Sequence, residues 1–384
     1  MAEPHPGTSC LLSDIETLCT VAHKRAEESD HNRALCPDVA EQLLESGFAR
    51  YFVPAAHGGS QGSFRELAHA LCVTSQACAS AAWCGLIYAT SGRMTAFLPE
   101  EGRTAVWRAG ADRPIAAALA PAGVATPVDG GWRVSGEWGF LSGVDHSDWA
   151  LVCVPGPVDT PGDPWFMALP RRDFTIRDTW FPVGMRGTGS NTLVAHDAFV
   201  SAGHAYRHEE LVTASGAGPD AACFRVPLQA VAGLPFAALV VGIARGALDH
   251  WSSWAASRPV RNSESARLLM ARSAAETDAA WLLVERAAQV ADDVVQARRH
   301  AARNARDAAY AADLAKGVVN RLFEAAGSAA QHQRSPLQRA WRDIHAAASH
   351  ATLRFDRHGT EFARSAWADD TALRQDIRDD GGRT

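Results

Sequence analysis

The stretch Trp132-Arg-Val-Ser-Gly-Glu-Trp-Gly-Phe-Leu-Ser-Gly-Val-Asp-His-Ser-Asp-Trp149 alternates large apolar residues with small and polar ones, which predicts two strands of a hairpin. Its Phe140-Leu-Ser-Gly143 segment places an aromatic ring beside a hydroxyl group and a glycine. The ring can stack on a planar heterocycle, the hydroxyl of Ser142 can hydrogen-bond its edge, and Gly143 lets the backbone approach closely. This combination predicts a flat ligand and points to a flavin.

The patterns on either side of this stretch predict helices. Apolar residues recur at helical spacing over 36–47 and 64–88, and again in several long segments after Phe224. Between about Pro114 and Ala202, short apolar runs alternate with Gly- and Pro-containing turns, as in a small barrel or sandwich. We therefore predict an α+β fold with four parts: an N-terminal helical domain (1–112), a central β-domain (113–212), a C-terminal four-helix bundle (213–368) and a flexible tail (369–384).

Composition excludes several classes of protein. The 384 residues carry a formal charge of −6, which gives no electrostatic footprint for nucleic acid. No apolar run is expected to span a bilayer, and no signal peptide is recognised. The eight cysteines form no C-x-x-C pair, so reduced thiols and a cytoplasmic location are expected. His204 and His208 have the spacing of a helical metal pair without supporting ligands, and no metal site is predicted.

Three motifs, in this order and spacing, resemble the acyl-CoA dehydrogenase superfamily, and in detail its branch of two-component flavin-dependent monooxygenases. They are Gly136-Glu-Trp-Gly-Phe-Leu-Ser-Gly-Val-Asp-His-Ser-Asp-Trp149, Asp178-Thr-Trp-Phe-Pro-Val-Gly-Met-Arg-Gly-Thr-Gly-Ser-Asn191 and Ser335-Pro-Leu-Gln-Arg-Ala-Trp-Arg-Asp-Ile-His-Ala-Ala-Ala-Ser-His350. The resemblance covers residues 10 to 365. It implies an N-terminal helical domain, a β-domain and a four-helix bundle, assembled as a homo-oligomer that we expect to be a tetramer.

The resemblance also implies a set of flavin contacts. In the family, the positions of Phe140, Leu141 and Ser142 hold the flavin ring, with the hydroxyl near N5. The Met-Arg-Gly-Thr-Gly-Ser turn lies near the sugar and phosphate of the flavin, and an arginine suits a phosphate because its fork donates two charged hydrogen bonds. The further contacts expected from the family are Arg186, Thr188, Ser190, Arg258 and Arg342. Arg258 lacks the Phe-Gly that follows the family arginine, so FAD and FMN both stay open.

The position of the family's catalytic base separates dehydrogenation from oxygenation. A dehydrogenase needs a carboxylate beside the flavin to remove an α-proton. At the family position of this glutamate the chain has Ala351, next to His350, and no carboxylate occurs between Asp220 and Asp249. In the monooxygenase branch, reduced flavin (FADH2 or FMNH2) and O2 form a C4a-hydroperoxide. Ser142 is then expected to form a hydrogen bond with N5–H. His350 is expected to be the hydrogen-bond donor for the peroxide, because imidazole can donate, accept and change charge near neutral pH.

The resemblance predicts a monooxygenase that receives reduced flavin from a separate reductase, since no nicotinamide-binding fingerprint is present. Its substrate would be an aromatic, polyketide-like or amine natural-product intermediate. Two alternatives stay open: a desaturase or oxidase with an unconventional base such as His350, and a flavin-binding scaffold without chemistry. The residues expected to line the substrate pocket are Trp83, Tyr88, Ser91, Met94 and His146. Because no histidine stands near Ser91, a simple phenol is a doubtful substrate.

Overall fold

The computed structural model describes residues 11–156, 162–215 and 218–381, with side chains described through residue 368. Within these residues, five α-helices come first, then eight strands, then nine α-helices, so the predicted order of helical, β and helical regions is confirmed. The first five helices are α1 (Leu11–Asn32), α2 (Pro37–Glu45), α3 (Phe64–Ala77), α4 (Ala79–Thr95) and α5 (Glu100–Trp107). The predicted domain boundaries at 112, 212 and 368 stay predictions.

One predicted helix over 64–88 is two helices in the structure. Ser63 begins α3 by accepting a hydrogen bond from the backbone N–H of Glu66. At Cys78 the backbone turns to an extended conformation (φ −156°, ψ 111°), which ends α3 and starts α4. A periodicity of 3.6 residues continues across this break, so the apolar pattern alone did not show it.

The β-region forms two four-stranded sheets, with strand orders β1-β4-β5-β8 and β2-β3-β7-β6. The strands are β1 (Ile115–Ala118), β2 (Val124–Val128), β3 (Gly131–Leu141), β4 (Trp149–Val154), β5 (Trp165–Pro170), β6 (Thr175–Arg177), β7 (Asn191–Ser201) and β8 (Ala205–Arg207). Their inner faces share one apolar core that includes Val134, Trp138, Val152 and Leu169. Sheet-on-sheet packing of this kind makes the β-region a sandwich.

The predicted hairpin over 132–149 is wrong. Both strands exist, but β3 pairs with β2 and β7, whereas β4 pairs with β1 and β5. After Leu141 the chain turns through Gly143 and a short 3-10 helix (Val144–His146), and then enters the opposite sheet. Alternation of apolar residues shows which face of a strand is buried but not which strand lies beside it. The stretch is therefore a corner between two sheets.

The C-terminal region is built around one buried helix. The helices are α6 (His208–Thr213), α7 (Ala222–Arg225), α8 (Leu228–Val231), α9 (Leu234–Ala256), α10 (Glu264–Ala291), α11 (Val294–Arg299), α12 (Ala301–Ala326), α13 (Pro336–Ala348) and α14 (Phe355–Gly381). α9 packs against α3, α10, α12 and α13. The tail predicted to be loose from 369 continues α14 to Gly381, and residues 382–384 lie outside the described residues, as do 216–217 of the predicted linker over 214–220.

The expectation that no apolar run could span a bilayer is wrong by length and composition. Among the described residues, one helical segment, Leu228–Ala256, is long and apolar enough, with a mean hydropathy of 1.8. Of its most apolar window, 78% is buried inside the protein. The apolar character of this segment is accounted for by its place at the centre of the bundle.

Candidate active site at the corner between the sheets

The hydroxyl of Ser142 lies at the corner where β3 ends, and the predicted Thr188 and Ser190 are its neighbours. The indole Nε1 of Trp83 on α4 donates a hydrogen bond to Ser142 Oγ at 2.9 Å. Ser142 Oγ and Ser190 Oγ are 2.7 Å apart, and Ser190 Oγ is 2.7 Å from Thr188 Oγ1. Thr188 Oγ1 donates to the carbonyl oxygen of Met185 at 2.8 Å. The structure thus brings three of the predicted residues into one chain of buried hydroxyl groups.

The aromatic ring of Phe140 is exposed to solvent. Its side chain is 80% exposed although the residue belongs to a strand, and its φ of +62° is unusual for a residue other than glycine. The edge of Trp180 meets this ring at 6.0 Å between centroids. Phe181 and Val183 are also exposed, at 69% and 71%. An exposed aromatic surface beside a hydroxyl group fits the planar ligand predicted from the sequence.

Gly143 is needed for a different reason from the one predicted. Its φ is +70°, and a Cβ there would lie within 3 Å of the Tyr88 ring and hydroxyl. Tyr88 is fully buried and donates a hydrogen bond to the carbonyl oxygen of Gly143 at 2.9 Å. The glycine therefore admits the tyrosine ring and the left-handed turn, and these two features shape the corner below Ser142.

His350 follows α13 and reaches the same tryptophan as Ser142. Its ring stacks on Phe236 of α9 with centroids 4.0 Å apart and meets Trp83 edge-on at 5.8 Å. Burial among these rings lowers the pKa of His350 to about 4. The expectation that this imidazole changes charge near neutral pH is therefore corrected, because stacked rings exclude the water that would stabilise the charged form.

The hydrogen bonds of His350 also select a tautomer. The backbone N–H of Thr352 donates to Nδ1 at 3.4 Å, and the hydroxyl of the same residue lies 2.8 Å from Nδ1. Since Nδ1 accepts, we assign the ring proton to Nε2. No protein partner of Nε2 is found within the described part of the chain. At neutral pH the side chain is thus an uncharged donor at Nε2.

Arg186 and Arg342 form hydrogen bonds with other groups of the protein. Arg342 binds both carboxylate oxygens of Asp30 on α1, at 3.0 and 2.8 Å, and donates to the carbonyl oxygen of Val183 at 2.7 Å. Arg186 donates to the backbone carbonyl of Asp30 at 2.9 Å and to that of Pro182 at 3.2 Å. These bonds use only some of the five N–H donors of each guanidinium, so the predicted phosphate contacts of Arg186 and Arg342 stay predictions.

The residue next to Arg342 also supports the site. Asp343 is buried and accepts a hydrogen bond from the backbone N–H of Met185 at 2.6 Å. Burial raises the pKa of Asp343 to about 6. Met185 is held in a left-handed conformation (φ +56°) and offers its carbonyl oxygen to Thr188. The Arg342-Asp343 pair therefore secures the turn on which the hydroxyl chain rests.

The other predicted residues lie apart from Ser142 or inside the core. Arg258 follows the end of α9, whose last residue lies about 30 Å along the helix from Phe236, and packs on Trp254. Leu141, Ser91 and Met94 are buried in the interior. His146 lies in the corner, where burial lowers its pKa. Their roles in binding flavin or substrate stay predictions.

Sequence reasoning missed three residues that shape the site. Trp180 lies inside the motif over 178–191, but its neighbours in the sequence did not indicate that it would contact Phe140. Phe236 was noted only as the start of an apolar helix, and Asp343 only as a motif marker. Each acts through a partner distant in the chain, and only the fold brings these partners together.

Two concavities elsewhere do not coincide with this site. One of about 330 Å³ lies between the ends of α9, α12 and α13, and one of about 530 Å³ lies on the outer surface of β6 and β7. Neither is lined by Ser142 or His350.

A four-helix bundle behind a β-sandwich, with an exposed ring and a buried hydroxyl at the corner, defines the class of acyl-CoA dehydrogenase-like proteins. Residues 234–355 match the family described as "Acyl-CoA dehydrogenase, C-terminal domain". The chain is 31% identical over 360 residues to the flavin-dependent monooxygenase, oxygenase subunit HsaA, of Rhodococcus jostii, with 88% of this chain and 94% of that protein covered. It therefore belongs to the family of flavin-dependent monooxygenase oxygenase subunits.

Two further similarities agree with this assignment. The chain is 28% identical to the oxygenase component of an FADH2-dependent resorcinol hydroxylase from a Rhizobium species, over 92% of this chain and 93% of that protein. The solved structure of XiaF from a Streptomyces species in complex with FADH2 and glycerol superimposes with a TM-score of 0.86 at 27% identity, covering 93% of this chain and 95% of that one.

Proposed function

We propose that this chain is the oxygenase component of a two-component system that takes reduced flavin, FADH2 or FMNH2, from a separate reductase. The reduced flavin supplies the two electrons with which O2 is split, one oxygen atom entering the substrate and the other leaving as water. The substrate proposed is an aromatic, polyketide-like or amine intermediate. The aromatic class is supported by the resorcinol hydroxylase among the relatives.

One observation carries the proposal: Trp83 contacts Ser142 with its indole N–H and His350 with its ring. A hydroxyl group and an uncharged imidazole donor thus contact the same indole, and the exposed Phe140 stands two residues before Ser142 in the chain. A flavin stacked on Phe140 would place N5 within reach of Ser142. His350 would then donate its Nε2 proton in a hydrogen bond to the oxygen being transferred.

The desaturase alternative is less well supported by this geometry. The aromatic rings of Phe236 and Trp83 surround His350, and no carboxylate is among its described contacts. A proton-bearing Nε2 donates rather than removes a proton, whereas desaturation requires a base. The same rings exclude water, which protects a reactive oxygen species from unproductive decay.

The test is a stopped-flow experiment in which protein and reduced flavin are mixed with oxygenated buffer. We expect a transient absorbance of a flavin C4a-hydroperoxide, followed by product when substrate is added. Bleaching of bound oxidised flavin by an acyl-CoA without a reductase would establish the desaturase instead. If neither signal is seen, the scaffold alternative holds.

Two variants assign the residues in this test. His350→Ala should retain flavin binding and lose coupling, so that O2 is consumed with peroxide rather than product released. Ser142→Ala should speed peroxide release by removing the hydrogen bond at N5. Arg334→Gln, at an exposed position away from these contacts, is the control and should match the wild type. Unchanged coupling in His350→Ala would remove His350 from the mechanism.

We further propose a cytoplasmic homotetramer. The seven cysteines among the described residues are free thiols, as expected for a reducing compartment. The outward face of α10 carries exposed apolar side chains that a second copy of the chain could cover.

A further inference from the structure

The hydroxyl chain behind Ser142 has as many protons as internal links. Ser142, Ser190 and Thr188 are 6%, 3% and 2% exposed, so their hydroxyl groups have little access to water. The three links join Ser142 to Ser190, Ser190 to Thr188, and Thr188 to the carbonyl oxygen of Met185. Each hydroxyl has one proton to donate. If one proton lies in each of the two links between hydroxyl groups and none is left unpaired, only two arrangements are possible, and in each of them all three protons point in the same direction.

In the first arrangement, all protons point towards Met185. Ser142 donates to Ser190, Ser190 to Thr188, and Thr188 to the carbonyl oxygen. Ser142 already accepts from Trp83, and its remaining lone pair can accept one more hydrogen bond from a ligand. Such a ligand must be a donor, and the N5–H of reduced flavin is one.

In the second arrangement, all protons point the opposite way. Thr188 donates to Ser190, Ser190 to Ser142, and Ser142 to the ligand. The carbonyl oxygen of Met185 then loses Thr188 Oγ1 but keeps two N–H donors, Trp180 Nε1 at 3.1 Å and the backbone N–H of Thr188 at 3.2 Å. No buried group is left unpaired at that end. The ligand must now be an acceptor, and N5 of oxidised flavin is one.

We propose that Thr188 is a positioning residue that lets Ser142 accept from reduced flavin and donate to oxidised flavin, by reversal of the whole hydroxyl chain. This inference rests on the proposed placement of flavin N5 at Ser142. When flavin is bound, the carbonyl oxygen of Met185 holds the Thr188 proton with the reduced form and not with the oxidised form. Both redox forms are thereby bound without a buried unpaired hydroxyl group.

Thr188→Val tests the inference because it preserves side-chain volume and removes the hydroxyl group that accepts the proton of Ser190. The proton of Ser190 then has only Ser142 to bind, which commits Ser142 to donate. We expect the dissociation constant of reduced flavin to rise at least tenfold relative to that of oxidised flavin, measured by anaerobic fluorescence titration with FMN and FMNH2. For a two-electron couple, a tenfold change lowers the midpoint potential of the bound flavin by about 30 mV.

Three further variants complete the test. Ser190→Ala cuts the chain at its middle and should shift the ratio of the two dissociation constants in the same direction. Thr188→Ser retains the hydroxyl and should restore the wild-type ratio. Thr192→Val removes a buried hydroxyl that pairs with Thr179 outside this chain, and should leave the ratio unchanged. These outcomes together support the reversal.

The outcomes that contradict the inference are distinct from those that contradict the proposed function. If Ser142→Ala weakens flavin binding but Thr188→Val changes both dissociation constants equally or neither, Ser142 contacts the flavin and the reversal is wrong. If Ser142→Ala changes neither dissociation constant, the placement of N5 at Ser142 is wrong, and the inference is overturned with it.

Discussion

At the scale of single residues, the site depends on side chains whose properties are set by distant neighbours. His350 is a partly buried, uncharged donor because the aromatic rings of Phe236 and Trp83 pack against it. The motif identified the histidine, but its pKa depends on packing between two helices. The sequence could therefore predict the position of His350 but not its charge.

The pKa of His350 predicts a specific loss of stability in acid. In the unfolded chain the imidazole takes up a proton near pH 6.5, whereas in the folded protein it does so near pH 4. Between these values unfolding binds a proton, so the contribution of this residue to stability falls as the pH falls from 6.5 to 4. The loss should reach roughly 3 kcal/mol at most.

Urea unfolding of wild type and His350→Gln at pH 7.5 and pH 4.5 measures this contribution. Glutamine lacks the titrating group, so the variant should lose less stability on acidification, and the difference between the two proteins should shift in favour of the variant. A difference that is equal at both pH values would mean that the imidazole is not desolvated as described.

At the scale of secondary-structure elements, the sequence predicted single helices and strands correctly but did not predict which strands pair with each other. Helices such as α2 follow from the periodicity of their own residues, and strands such as β4 follow from a short continuous apolar run. The strands that pair with β3 and β4 could not be predicted in this way, because the alternation of apolar residues carries no information about the neighbouring strand. The break at Cys78 was also missed, because the apolar pattern runs through it.

The docking of α13 on α1 predicts a measurable coupling energy. Asp30 and Arg342 form a bidentate pair whose side chains are 21% and 14% exposed. In a double-mutant cycle with Asp30→Asn and Arg342→Gln, we expect a coupling of about 1–3 kcal/mol from chemical denaturation, since both groups are largely shielded from water. Arg342→Lys should not restore it, because lysine lacks the planar fork.

A matched pair on the same two regions provides the control. Glu27 and Arg334 are 3.4 Å apart, but their side chains are 59% and 79% exposed. Solvent screens such a pair, and its coupling should lie below about 0.5 kcal/mol. Equal coupling energies for the two pairs would show that Arg342 does not secure α13 in the way described.

At the scale of the whole molecule, the described surface is not fully explained by a single chain. Leu268 and Leu282 on α10 are 64% and 67% exposed and lie two heptads apart, on nearly the same helical face. They lie about 21 Å apart along the helix, and we propose that a second copy of the chain covers this face of α10. The sequence predicted a tetramer only by resemblance, since periodicity identifies an apolar face without saying which chain covers it.

We expect light scattering after size exclusion to give four times the mass of one chain. The double variant Leu268→Glu and Leu282→Glu should give a smaller species with unchanged helical circular dichroism. Leu119→Glu places the same charge at an exposed leucine after β1 and should leave the tetramer intact. A double variant that retains the wild-type mass would exclude this face of α10 from the interface.

The pair between Asp30 and Arg342 has a consequence for synthesis of the protein. The two residues are 312 positions apart, and Asp30 lies in the first helix of the described chain. At typical elongation rates, roughly 15 to 60 s pass between their emergence from the ribosome. The turn at Met185 is held by Asp343, 158 positions further along the chain, so it lacks the helix that holds it for about the second half of that interval. A nascent chain that stops before Arg342 would thus have Ser142 in place with its support missing, and would be a target for chaperones or proteases.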